Sequence, residues 1–128
     1  MAEFRIQKKT SLTFDQALAR VQEALKAEGF GILTQIDVQA TLKEKIGADF
    51  RPYRIFGACN PKLAFRALTS ELEVGVMLPC NAIVYQGDDG KAVVTAIDPM
   101  ATIASTHPGL NVIAGEVKFA LQRALAAV

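Results

Sequence analysis

Apolar and polar residues alternate along several short stretches of the chain, the pattern of β-strands with one buried face. Near the N-terminus, Phe4 and Ile6 alternate with polar neighbours over residues 3–9. A second strand is predicted over residues 30–36 and a third over residues 53–59. Because neighbouring residues of a strand point to opposite faces, Tyr53, Ile55, Gly57 and Cys59 are expected to share one face of the third strand.

Two further strands are predicted on either side of a tight turn. Residues 82–86 and 93–97 flank Asp88-Asp89-Gly90. An Asp-Gly pair between apolar runs is typical of a β-hairpin. These two strands are therefore expected to pair antiparallel.

Between the strands, apolar residues recur at the three- and four-residue spacing of helices. Thr13 followed by Gln16 fits a capping box that begins a first helix, which continues to about residue 28. Asp37, Asn60 and Asp98 are predicted N-caps of three more helices, the last two being followed by proline. The final amphipathic helix carries an apolar stripe of Leu110, Ile113, Val117, Leu121 and Leu125.

These elements predict an α+β fold in which helices pack on one face of an antiparallel sheet. The hairpin and the unequal strand connections argue against a doubly wound parallel sheet. A chain of 128 residues with 51% hydrophobic content has enough apolar residues for one core, and no repeat or flexible linker divides it. We expect residues 1–128 to form a single domain.

The charges are balanced and mixed along the chain, with a formal net charge of +1. No large field is therefore available to hold a nucleic acid or an anionic membrane, and nucleic-acid binding is disfavoured. Polar residues interrupt the N-terminal region where an export signal needs an apolar run, and no apolar stretch reaches the ~18 residues of a membrane span. A cytoplasmic protein is the expectation.

The two cysteines are the most unusual local feature, because each precedes an asparagine and has a proline within two positions. Both are predicted at strand ends, and the start of a helix next to Cys59 would lower the pKa of its thiol. Cys59, Asn60, Cys80 and Asn81 are therefore candidate ligand-binding residues. The alternative is that both cysteines pack as small apolar side chains. No metal site is predicted, because two thiols and one histidine fall short of the usual four zinc ligands.

Other polar residues have ordinary explanations. His107 lies in a predicted loop, where an exposed or capping imidazole is common. Arg51, Arg54 and Arg66 either form a small basic spot for a carboxylate or phosphate, or lie separately in solvent. The aspartates are explained by caps and turns, so the sequence does not indicate acid–base catalysis.

Several segments give the chain a resemblance to the domain of unknown function 302 family. The resemblance implies a compact α+β fold similar to the TATA-binding-protein topology, found in bacteria and archaea and often homodimeric. It implies no established activity, catalytic residue or cofactor. The matching segments are residues 28–31, 36–43, 53–61, 78–81 and 96–99.

Two functions follow as hypotheses. The first is a homodimeric module that binds a small ligand or a partner, with Cys59, Cys80 and Asn81 lining a pocket. Strand edges and apolar helix residues are its expected dimer surfaces. The alternative is a thiol-dependent redox enzyme or sensor that uses Cys59 and Cys80. The sequence identifies neither a cofactor nor a ligand.

Overall fold

The computed structural model describes residues 4–128, in which five strands form one antiparallel sheet. The predicted α+β architecture is confirmed, although Glu3, expected in the first strand, lies outside the described residues. The strands are β1 (Arg5–Lys9), β2 (Gly31–Asp37), β3 (Tyr53–Cys59), β4 (Cys80–Gln86) and β5 (Ala92–Ile97). Their order across the sheet is β1-β5-β4-β3-β2.

The helices begin where the sequence predicts caps. The Thr13 hydroxyl accepts from the Gln16 amide in a complete capping box, and Asp37, Asn60 and Asp98 also accept backbone amides. No helix within residues 4–128 is both long and apolar enough to cross a membrane. The helices are α1 (Phe14–Ala27), α2 (Val38–Ile46), α3 (Pro61–Ser70), α4 (Pro99–Thr106) and α5 (Asn111–Ala126), with 3₁₀ turns at Leu72–Met77 and Pro108–Leu110.

The main core lies between one face of the sheet and the two long helices, α1 and α5. The strands present mostly small side chains, alanine and valine, to these helices, and the helices contribute alanines of their own, so the backbones approach closely. Phe56, Leu25 and Leu121 are the bulkiest side chains in this layer with less than 2% exposure. The buried alanines of this core are Ala17, Ala24, Ala58, Ala82, Ala92, Ala96, Ala120 and Ala124.

The buried carboxylate Asp98 fixes α4 against α5. One oxygen accepts the Met100 amide at 2.9 Å, and the other pairs with the Lys118 ammonium at 2.9 Å. A helix cap and an ion pair thus satisfy a side chain that would be costly to bury alone. The end of β5 and the last helix are joined through this one residue.

We call the opposite side of the sheet the open face, because α1 and α5 leave it uncovered. Apart from Ile97, its apolar residues pack against neither of the two core clusters. At Gly57 a Cβ would lie 2.8 Å from Pro79 Cγ and would also meet Thr34, so only glycine fits there. By strand register the open face comprises Arg5, Gln7, Lys9, Thr34, Ile36, Tyr53, Ile55, Gly57, Asn81, Ile83, Tyr85, Val93, Thr95 and Ile97.

Leu25→Ala should lower the free energy of unfolding by roughly 2–5 kcal/mol, because the fully buried leucine leaves a cavity between α1 and the sheet. Urea melts of the two proteins measure the difference. Leu72→Ala, at a leucine that is 83% exposed, is the control and should cost less than about 0.5 kcal/mol. An equally small loss for Leu25→Ala would contradict this packing.

Candidate functional site

Cys59 and Cys80 line one apolar cavity at the end of the β3–β4 pair. Cys59 is the last residue of β3, and Cys80 begins β4 opposite Ala58. Residues of α3 and α5, including Leu63 and Val117, form much of the remaining wall. The cavity has a volume of about 30 Å³. Since one water needs about 10–15 Å³ of such space, it has room for about two or three waters.

Asn60 holds the start of α3 beside this cavity. Its Oδ1 accepts the Leu63 amide at 3.4 Å, as the sequence predicts for an N-cap. Gly29, which ends α1 with φ +87°, lies against the same side chain: a Cβ there would be 3.1 Å from Asn60 Nδ2. The end of α1 and the start of α3 therefore meet at Asn60. Its Oδ1 has a structural partner, while the residue also contributes to the cavity wall.

Cys80 is shielded from water and is a poor nucleophile. Its residue is 6% exposed. Burial, and to a lesser degree the nearby Cys59 thiol, raises the pKa of Cys80 from 9.0 to about 11. At neutral pH this thiol is almost entirely protonated, so chemistry that needs a Cys80 thiolate is slow.

The structure does not bring Asn81 to the cavity of the two cysteines. As the residue after Cys80 in a regular strand, it points to the opposite side of the sheet. There it pairs with Gly57 and borders a groove of about 320 Å³ together with Val76 and Ile97. The adjacency of Cys80 and Asn81 within a strand was the signal in the sequence for this separation.

The three arginines that the sequence offers as a basic spot have different carboxylate partners. Arg51 pairs with Asp88 at 3.0 Å and Arg54 with Asp37 at 3.6 Å. Arg66 pairs with Glu116 at 2.8 Å. It lies on α3, which follows the C-terminal end of β3, whereas Arg51 precedes the N-terminal end of that strand. Each guanidinium is thus already paired with a carboxylate.

His107 and the carboxylates do not form a second centre. His107 ends α4, and its Nδ1 lies 3.0 Å from the Thr106 hydroxyl. Within residues 4–128, no three side chains among histidine, cysteine, aspartate and glutamate are grouped so that they would hold a metal ion. The described part of the chain therefore offers the cysteine cavity and the open face as its candidate sites.

Sequence reasoning missed the open face as a surface. Five register-paired side chains, one from each strand, form a row across the middle of this face. In the neighbouring row, the Tyr53 and Tyr85 rings stack with centroids 5.6 Å apart. The signal was present in β4 and β5, which are apolar at both odd and even positions, as in strands covered on two sides. The middle row is Gln7, Thr95, Ile83, Ile55 and Ile36.

These features define an α+β domain with a two-faced antiparallel sheet and a cysteine-lined cavity under its helices. The chain belongs to the family described as domain of unknown function DUF302, whose model matches residues 6–128. It is similar to the crystal structure of an uncharacterized conserved DUF302 protein from Bacillus stearothermophilus. The two are 36% identical, with a TM-score of 0.89 and 98% of each chain covered. No curated protein matches the chain.

The raised pKa of Cys80 predicts an alkaline loss of stability. A thiol whose pKa is higher in the folded state stabilises fully below its unfolded value, and this contribution fades as pH rises through the folded value. Between pH 9 and pH 11 the wild type should lose about 2–3 kcal/mol that Cys80→Ala does not lose. Urea melts across this range measure it, with Cys59→Ala as the matched control. Parallel pH profiles for wild type and Cys80→Ala would contradict the burial of this thiol.

Proposed function

We propose that this protein is an interaction module that forms a homodimer through its open face. The observation that carries the proposal is the row of Ile36, Ile55 and Ile83 on adjacent strands, on the side away from both cores. Ile36 is 46% exposed in the single chain. Contiguous apolar side chains of this kind are typical of a surface that another protein covers.

The composition of the central strands supports a covered second face. Strands that meet water on one side alternate apolar and polar residues, whereas strands buried on both sides are apolar throughout. β4 places Ile83 and Tyr85, both partly exposed, on the open face, although Ala82 and Val84 already fill its core face. Val93 of β5 lies on the same side but is only 8% exposed in the single chain. This pattern is suited to a sheet whose open face is covered by a second protein layer.

The open face has the area of a small dimer interface. Five strands spaced about 4.8 Å apart and three rows of side chains about 6.8 Å apart give a flat footprint of roughly 480 Å². Side-chain relief makes the accessible area larger, and Phe4 and Phe50, both partly exposed, extend the apolar area near its ends. A standard interface removes about 800 Å² from each partner, so two copies on this face would form an interface of less than standard size.

The charge of the face favours a second copy over an anionic partner. Its charged residues are Arg5 and Lys9, both on the edge strand β1, and no carboxylate lies among the others. A nucleic acid or an anionic membrane would need many more cations on one surface. Two copies meet most favourably when β1 of one lies away from β1 of the other, since like charges then stay apart.

Binding of a small organic ligand by the cysteine cavity is less well supported. Ligand pockets usually measure roughly 300–1,000 Å³, far above the water-sized space between Cys59 and Cys80. An enzyme that uses Cys80 as a nucleophile is opposed by the raised pKa of that thiol. As part of the proposal the module acts in the cytoplasm, where a reducing milieu keeps both cysteines as thiols.

Light scattering at tens of micromolar should give twice the chain mass of 13.8 kDa for the wild type. Ile83→Glu should give the chain mass itself with an unchanged circular-dichroism spectrum, because two buried carboxylates cannot be accommodated at the shared face. Val112→Glu is the matched control and should remain dimeric, since Val112 is 73% exposed at the start of α5. A monomeric wild type, or equal dissociation of both variants, would exclude this interface.

A further inference from the structure

We infer that Cys59 and Cys80 close into a reversible disulfide within one chain when the protein meets a peroxide. The disulfide would be a redox-sensitive latch between the start of α3 and the start of β4. This inference deepens the redox-sensor alternative and does not depend on the dimer. It rests on the placement of the two thiols at neighbouring strand ends around one cavity.

The strand register sets a separation that a disulfide can span. Ala58 lies directly opposite Cys80, and Cys59 is the next residue along β3. Opposed Cα atoms in an antiparallel pair are about 4.5–5.5 Å apart, and one residue along the strand adds about 3.4 Å at a right angle. The Cα atoms of Cys59 and Cys80 are therefore about 5.6–6.5 Å apart, within the roughly 4.4–6.8 Å of disulfides.

The two cysteines line one cavity although Cys59 lies one residue beyond the β3–β4 ladder and still pairs with Gly31 of β2. Within a regular ladder, the residue after Ala58 would face the other side of the sheet from Cys80. Cys59, however, is the last residue of β3, and both cysteines contribute to the same cavity wall. The effect of the Cys59 thiol on the pKa of Cys80 is a second sign that the two groups are close.

The chemistry needs only the two thiols and the peroxide. Cys59, which is partly exposed, reduces hydrogen peroxide, so that its sulfur becomes a sulfenic acid and one water leaves. The Cys80 sulfur then attacks the sulfenic sulfur, a sulfur–sulfur bond forms, and hydroxide leaves with the Cys80 proton as a second water. Two thiols and one peroxide give one disulfide and two waters.

The second step should be slow at neutral pH and accelerate with alkali. Its nucleophile is the Cys80 thiolate, and the pKa of about 11 leaves only roughly one part in ten thousand ionised at pH 7. The thiolate fraction, and with it the rate of closure, rises about tenfold per pH unit well below that value. Sulfenic acid at Cys59 should accumulate first at pH 7.

The experiment uses the full chain, reduced, freed of reductant and treated with hydrogen peroxide in the presence of a chelator. Intact mass should fall by about 2 Da, a peptide containing Cys59 should be linked to one containing Cys80, and dithiothreitol should restore both thiols. Cys59→Ser should show no linkage. Cys80→Ser should also show none, while its Cys59 sulfenic acid becomes trappable by dimedone.

Two outcomes would overturn the latch. One is oxidation of Cys59 to sulfinic acid, a gain of about 32 Da, while Cys80 stays a free thiol at every pH. The other is a disulfide between two chains, seen as a doubled mass under denaturing, non-reducing conditions. Light scattering of the reduced protein reports separately on the dimer, so failure of either proposal leaves the other testable.

Discussion

The structure depends on how side chains alternate along the central hairpin of β4 and β5. One set, including Ala82, Val84 and Val94, faces α1 and α5 and is almost fully buried. These side chains are small, so two alanine-rich helices lie close to the sheet and one dense layer fills the space between them. The other set faces the open side, where neither long helix can reach it. The same alternation therefore creates both the core and the open face, on which Ile83 and Tyr85 of β4 are partly exposed while Val93 of β5 is 8% exposed.

That alternation also sorts the candidate site residues. Cys80 turns toward the core side, and Asn81 turns toward the open face, so two neighbours in sequence belong to different surfaces. Cys59 lies at the last position of β3, where it pairs with Gly31 of β2 but no longer with β4, and it shares the cavity with Cys80. Burial there keeps the Cys80 thiol protonated, which suits a packed side chain and slows any reaction in which Cys80 is the nucleophile.

Local signals allowed much of the fold to be predicted. The capping box at Thr13, the caps at Asp37 and Asn60, and the hairpin turn at Asp88-Asp89-Gly90 act within a few residues, so the sequence determines them directly. The coverage of each sheet face depends on contacts between distant segments. A period-two pattern shows which residues share a face, but it does not show which segment packs on that face. The open face and the separation of Asn81 from Cys80 escaped prediction for this reason.

The central claim is that the open face is buried against the same face of a second copy. Isotope-filtered nuclear Overhauser spectroscopy on a mixture of labelled and unlabelled chains detects contacts between copies directly. The account predicts intermolecular signals from the methyl groups of Ile36, Ile55 and Ile83. Signals that come instead from exposed helix residues such as Val112, with none from these isoleucines, would contradict it.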